Sequence, residues 1–224
     1  MIGREVPRSE TLVVPVFALP NVVLFPRAVL PLHIFEERYK KMTSDALDGN
    51  QLVAMALLKP GWEKNYYCQP AIEPVVCVGR ILSHERLPNG EYNFLLQGQL
   101  RARITRELGC QPYRQAEVIA LPETRGLEID TDSHRRRLVE LFTESPLGGI
   151  SGASQFRQML SGPMSTGEIA DVIAFSYLEE VGLKQSLLGE TDTRRRVERT
   201  VEALEALRPT VSIALRSVSD PTLN

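Results

Sequence analysis

With 224 residues, 43% hydrophobic and 24% charged, the chain has the make-up of an ordinary globular protein, long enough for one large domain or two small ones. A globule of this length buries roughly 70% of its unfolded surface, so it stands without disulfides or structural metal. A net charge of −2 excludes a strong long-range pull toward nucleic acid or anionic lipid.

Cys68, Cys77 and Cys110 form no CxxC pair and leave an odd number, which argues against a disulfide framework or a zinc site and for a reducing cytoplasm. Near the start, Arg4, Glu5, Arg8 and Glu10 mix their signs, unlike the basic opening of a signal peptide. Thr11 to Phe17 predicts a first strand, placed at a sheet edge by Pro15, which has no N–H for a ladder. Leu19 to Tyr39 is apolar, but Pro20, Pro26 and Pro31 break it into short strands and corners. A membrane span needs roughly 20 apolar residues in unbroken helix, and this run is not one.

A helix is expected from Phe35. Glu36 and Glu37 suit the positive end of its dipole, while Phe35, Tyr39, Met42 and Ala46 recur at helical spacing before Gly49. Phe35 is accordingly expected in the core, where truncation to alanine costs about 3–5 kcal/mol. Gln51 to Leu58 predicts another strand, and the Pro60–Gly61 pair opens a loop from Lys59 to Tyr67. Val75 to Ser83 is the clearest strand, with a bulge at Gly79; Pro88-Asn89-Gly90 then turns it into a hairpin with Tyr92 to Gln97. Gly98 separates that strand from Leu100 to Arg106, where Leu100, Ala102 and Ile104 alternate with Arg101, Arg103 and Thr105. Such alternation predicts a half-buried strand with its arginines outward. Tyr113 to Leu121 is the last strand.

Beyond Pro122 the pattern turns helical. Asp130 to Ser133 offers N-cap chemistry ahead of Leu138, Leu141 and Phe142, and Ser145 to Gly152 is a loose connection. Ser165 and Glu168 predict a capping box before Ile169, Val172 and Ile173. Asp192 opens a last helix with the stripe Val197, Val201, Leu204 and Leu207, which Pro209 is expected to end. Val211 to Asn224 is then a tail that adds a strand or stays mobile. The fold class read from this order is α+β, with a β-rich subdomain carrying one inserted helix over 1–122. A helical bundle with its tail follows over 123–224.

Signatures of catalysis are missing. Without a Gly-Lys pair there is no Walker loop, and Gly149-Ile-Ser-Gly152 does not meet the GxSxG register of a nucleophile elbow. His33, His84 and His134 lie in separate segments without ligand spacing; His33, between Leu32 and Ile34, reads as a hydrogen-bonded structural residue. Catalytic, cofactor-binding and metal-ligating residues are therefore expected to be none. Arg135–Arg137 and Arg194–Arg196 read as solvated helix faces, with Arg136–Glu140 and Arg194–Glu198 as i,i+4 pairs. Only the Lys59–Tyr67 loop has a composition suggesting contact: Trp62, the single tryptophan, stands near Tyr66 and Tyr67. Aromatic anchors bury much area at low entropic cost, although loop aromatics also serve to cover the end of a core.

Leu19-Pro-Asn-Val-Val-Leu-Phe-Pro26, followed by Leu30-Pro-Leu-His-Ile-Phe-Glu-Glu-Arg-Tyr39, resembles the N-terminal substrate-recognition domain of Lon proteases. The resemblance continues through Val78–Ile81, Tyr92–Gly98, Arg101–Ile104 and Pro112–Val118, and more loosely through Lys184–Leu188 and Arg196–Leu207. It implies a PUA-like pseudobarrel followed by a helical bundle. It also implies binding of unfolded or partly folded polypeptides, with an ATP-dependent protease as a further partner. The ATPase and Ser-Lys protease modules of Lon have no counterpart in the chain, so the expectation is a non-catalytic, cytoplasmic binding module. It would be similar to the stand-alone bacterial Lon-domain proteins. Trp62, Tyr66 and Tyr67 are the expected polypeptide contacts, in a groove between the two subdomains. The alternatives left open are a hydrolase with an unrecognised serine or cysteine, and RNA binding through the barrel, which the acidic balance disfavours.

Overall fold

Period-two runs of β-branched and small residues become strands β1 (Leu12–Leu19), β2 (Val29–Ile34), β3 (Leu52–Leu57), β4 (Val75–Arg86), β5 (Tyr92–Gly109) and β6 (Gln115–Ala120). The helices are α1 (Glu37–Asp48), α2 (Asp132–Glu144), α3 (Thr166–Tyr177), α4 (Val181–Gly189) and α5 (Thr193–Ser219), with a 3₁₀ turn at Trp62–Asn65. The structure is a computed structural model that describes residues 11–66, 69–109, 112–124, 131–144, 158 and 161–219. The fold is α+β. Two compact units divide the chain, Met1–Pro122 with Glu180–Gly189, and Glu123–Glu179 with Glu190–Asn224. Helix α4 therefore belongs with the strands, although it follows α2 and α3 in sequence.

In the first unit the strand order is β2-β5-β4-β3-β1-β6, and β6 pairs again with β5. Five strands, β5, β4, β3, β1 and β6, thus close into a ring. Small and β-branched residues make up most of the inside of so narrow a ring. Val14, Val16, Ala54, Ala56, Val76, Val78, Ala102, Ala116 and Val118 fill it, all buried. Strand β1 was expected at an edge, but it lies between β3 (parallel, Val16↔Ala54) and β6 (antiparallel, Val14↔Ala116). Pro15 is tolerated because β1 changes partner beside it: Val16 donates to the Arg114 carbonyl at 2.8 Å, and the β3 pairing begins only at Val16. The open edge is β2, which pairs with β5 alone and carries Pro31.

Strand β5 is one element of 18 residues rather than two. Its first half pairs with β2 (Leu30↔Leu96) and its second with β6 (Ala102↔Ala120), while β4 pairs along both. The register shifts at Gly79, as expected for a bulge, because Gly79 faces Gly98 while Val78 faces Leu100. Gly98 is not a break. A Cβ on it would lie 2.0 Å from the Phe25 carbonyl oxygen, so glycine is what lets the loop before β2 cross β5.

Helix α1 begins at Glu37, after Phe35, and packs on β1: the Tyr39 ring lies 4.3 Å from that of Phe17, and its hydroxyl donates to the Ala18 carbonyl. Burial pushes the Tyr39 hydroxyl up to about 12. Phe35 is 61% exposed and stacks on His33, which corrects its expected place in the core. The helical spacing of Phe35 with Tyr39 was misleading because β2 pairing holds the backbone extended up to Ile34. The fully buried aromatic of this stretch is Phe25. Phe35→Ala is expected to change unfolding free energy by no more than about 0.5 kcal/mol, as for other surface substitutions, in a urea titration. His33 is held by the Asn93 side chain at 2.8 Å and the Glu91 carboxylate at 3.0 Å, as befits a structural residue.

In the second unit α5 packs on both α2 and α3. Leu138 and Leu141, Ile169 and Ile173, and Val197, Val201 and Leu204 supply the buried faces. The Ser165–Glu168 capping box is present in full. Helix α5 runs on through Pro209 to Ser219, so the proline does not end it and Val211 to Ser219 is helical. One missing hydrogen bond is a small part of a 27-residue ladder. The expected connection Ser145–Gly152 lies outside the described residues.

The arginine triplets do not form uniform solvated faces. Arg194 pairs with Glu198 at 2.9 Å as expected, but it is Arg137, not Arg136, that pairs with Glu140, and it also reaches Glu205. Arg135 donates to the Met164 and Gly162 carbonyls. Arg196 is buried at 2% side-chain exposure, 2.9 Å from both Asp171 and Glu123. Among the described residues no helix is long and apolar enough to cross a membrane.

Candidate functional site

The Pro60–Gly61 pair turns the chain after β3. Gly61 has φ of 87°, a left-handed conformation that glycine adopts without strain, and it launches the 3₁₀ turn that begins with Trp62. Trp62 packs one side on the ring's core cluster, as does Tyr66. Their rings meet edge to face at 5.5 Å. Tyr66 is fastened in turn to the start of α1. Its hydroxyl donates to Glu36 at 2.7 Å, and the Arg38 guanidinium lies 4.7 Å from its ring. Burial, then the bond to Glu36, raises the Tyr66 hydroxyl above the usual tyrosine range.

Helix α4 is pinned at both ends. The Glu180 carboxylate accepts from the Gly182 and Leu183 amides at 2.8 and 2.6 Å, satisfying the free N–H groups of the first turn. At the other end Arg101 donates from Nε to the Leu188 carbonyl at 3.0 Å, where a cation suits the negative end of the helix. Arg101 is thus buried at 2% exposure, contrary to the outward arginines that period two predicts. The covering helix supplies the acceptor that makes this burial tolerable. In the middle Gln185 donates to the Val75 carbonyl at 2.9 Å.

Between these elements of the first unit lies a groove of about 660 Å³. Leu57, Leu58 and Pro60 line it from the end of β3, Trp62 from the 3₁₀ turn, and Glu73, Pro74 and Val75 from the start of β4. Pro20 and, from α4, Val181, Gly182, Gln185 and Ser186 complete the lining. Such a volume suits one or two amino-acid side chains or a small ligand. Ser186 carries the one hydroxyl in this lining, which holds no histidine, lysine or cysteine. Among the described residues no group of three or more histidines, cysteines, aspartates or glutamates is placed to hold a metal ion. The lining offers burial of apolar surface and a few acceptors.

Residues 13–206 match the family model described as the ATP-dependent protease La (LON) substrate-binding domain. The chain belongs to this family. It is 27% identical over 205 residues to the Lon protease of Dictyoglomus thermophilum, covering 89% of this chain and 25% of that protein. With the Lon protease of Desulfosudis oleivorans it shares 25% identity over 193 residues, 85% of this chain and 23% of the other. The chain thus spans about a quarter of the length of the curated relatives it matches. Two solved structures share the fold. The N-terminal domain of Mycobacterium avium complex Lon protease superposes with a TM-score of 0.67 at 15% identity, over 87% of this chain and 98% of that one. The Lon N-terminal domain protein from Xanthomonas campestris gives 0.62 at 21% identity, over 85% and 98%.

Of the three aromatic residues expected to make contacts in this Lon substrate-binding domain, Trp62 lines the groove. Tyr66 is not in the lining and braces Trp62 from behind, while Tyr67 lies outside the described residues. Sequence reasoning passed over Glu73, Pro74 and the α4 residues. The Glu73-Pro74 pair just before the clearest strand marked a strand entry, but nothing local ties it to a helix more than a hundred residues later.

Proposed function

We propose that this chain is a non-catalytic polypeptide-binding module that takes apolar side chains of unfolded or partly folded proteins into the groove beside Trp62. The observation that carries this reading is the groove itself: a largely apolar cleft lined by a half-buried tryptophan, in a chain of the Lon substrate-binding family. Tyr66 serves by fixing the tryptophan, so fewer rotamers are lost on binding. The five-strand ring supports a PUA-like pseudobarrel, and the packing of α5 on α2 and α3 supports a helical bundle following it. An ATP-dependent protease is the natural recipient of a captured chain. The buried thiol of Cys77, which is in no disulfide, suits a reducing cytoplasm.

Because Trp62 is the only tryptophan, its fluorescence reports the groove directly. Titration with a tryptophan-free unfolded polypeptide is expected to shift its emission to the blue. Trp62→Ala should weaken binding about tenfold or more while costing about 1–2 kcal/mol of stability. Unchanged emission, or equal affinity in the variant followed through a labelled polypeptide, would remove the groove as the contact surface.

A further inference from the structure

Glu73 is the one charged side chain in the groove lining. It is half-buried, and it has no ion pair or side-chain hydrogen bond among the described residues. Its backbone is fixed by the bond from its amide to the Leu57 carbonyl, which holds the side chain beside the apolar lining. A carboxylate left half-desolvated without a partner gains from any cation brought to it. The second polar feature points the same way. Gln185 spends its amide N–H on the Val75 carbonyl, and its amide oxygen has no partner among the described residues. Opposing attractions are removed as well, since the α4 N-terminus, a natural anion site, is already capped by Glu180. The groove thus presents acceptors and negative charge around an apolar centre.

We propose that the groove selects polypeptide segments in which an apolar side chain is adjacent in sequence to a lysine or arginine. The apolar side chain seats against Trp62, Leu57 and Val75, and the cation reaches Glu73. This inference rests on the polypeptide-binding reading above and adds a charge preference to it.

The test compares three labelled peptides by fluorescence anisotropy with the full chain: a central leucine flanked by lysine, by glutamine, or by glutamate. At low salt the lysine peptide is expected to bind about fivefold tighter than the glutamine peptide, the scale of one partly exposed ion pair, and the glutamate peptide weakest. Glu73→Gln should erase the lysine preference while leaving the glutamine peptide unaffected, and Glu73→Lys should turn the preference toward glutamate. High salt on the unaltered protein should collapse the difference, a readout that does not depend on any variant folding. Equal binding of the lysine and glutamine peptides, or a preference that survives Glu73→Gln, overturns the charge selection and leaves the polypeptide-binding reading standing. Binding of none of the three overturns both.

Discussion

Gly98→Ala is expected to destabilise the first unit by about 3–5 kcal/mol, at the upper end of what single substitutions do. The added methyl would lie 2.0 Å from the Phe25 carbonyl oxygen, 2.7 Å from its carbon and 3.0 Å from the Cys77 sulfur. Two of these are backbone atoms and cannot swing aside as the end of a flexible side chain would. The segment that crosses here is also bonded to Gly98 itself: Arg27 donates to its carbonyl and its amide donates to that of Ala28, both at 2.9 Å. Relief of the clash therefore breaks both hydrogen bonds and lifts buried Val23, Leu24 and Phe25 from their places. Urea unfolding followed by Trp62 fluorescence measures the loss. Gly189→Ala is the control: its new methyl meets nothing within 4 Å, and a change below about 1 kcal/mol is expected. A Gly98→Ala protein as stable as the control would show that the crossing is looser than described.

Arg196→Leu is expected to cost about 3–5 kcal/mol in the second unit, because it takes the guanidinium away from the buried Asp171 carboxylate. Asp171 has 3% side-chain exposure and stands 2.9 Å from the Arg196 guanidinium. Arg196 also donates to the Glu190 carbonyl at 2.8 Å and to Glu123 at 2.9 Å, so it ties α3, α5 and the segment after β6 together. The double change Arg196→Leu with Asp171→Leu should recover much of the loss, since replacing a whole buried pair by apolar side chains is often close to neutral. Helical circular dichroism during urea unfolding reads mainly this unit, which holds the larger share of the helical residues, whereas Trp62 reads the other. A single substitution as mild as those on the helix surface would mean that the pair is solvated.

Both residues were visible in the sequence and misread for the same reason. Gly98 sat between two apolar runs and looked like a break, because local pattern cannot show a second segment passing over it. Arg196 sat in a run of three arginines, all of which look alike until α3 brings Asp171 to one of them. Arg101 alternated with apolar neighbours and yet is covered, because helix α4, about ninety residues on, offers it the Leu188 carbonyl. Phe35 erred in the other direction, apolar and in helical phase with Tyr39 but left outside by a helix that starts two residues later. Trp62 was legible as a candidate from its loop and its neighbours, and the structure places it in the groove lining. Glu73 in the same lining was not, since an isolated glutamate says nothing until its neighbours are shown to leave it unpaired.

What the amino-acid order settled was everything carried by short-range pattern. The strand periods, the Pro88–Gly90 turn, the Gly79 bulge and the Ser165–Glu168 box all follow from backbone sterics and hydrogen bonds within a few residues. The proline-punctuated motif before Tyr39 likewise points to the Lon substrate-binding family, to which the chain belongs. Closure of the ring, the crossing at Gly98 and the groove at Trp62 rest on segments far apart in the chain. Burial and pairing there are properties of two surfaces meeting, and neither surface alone records which partner it will find.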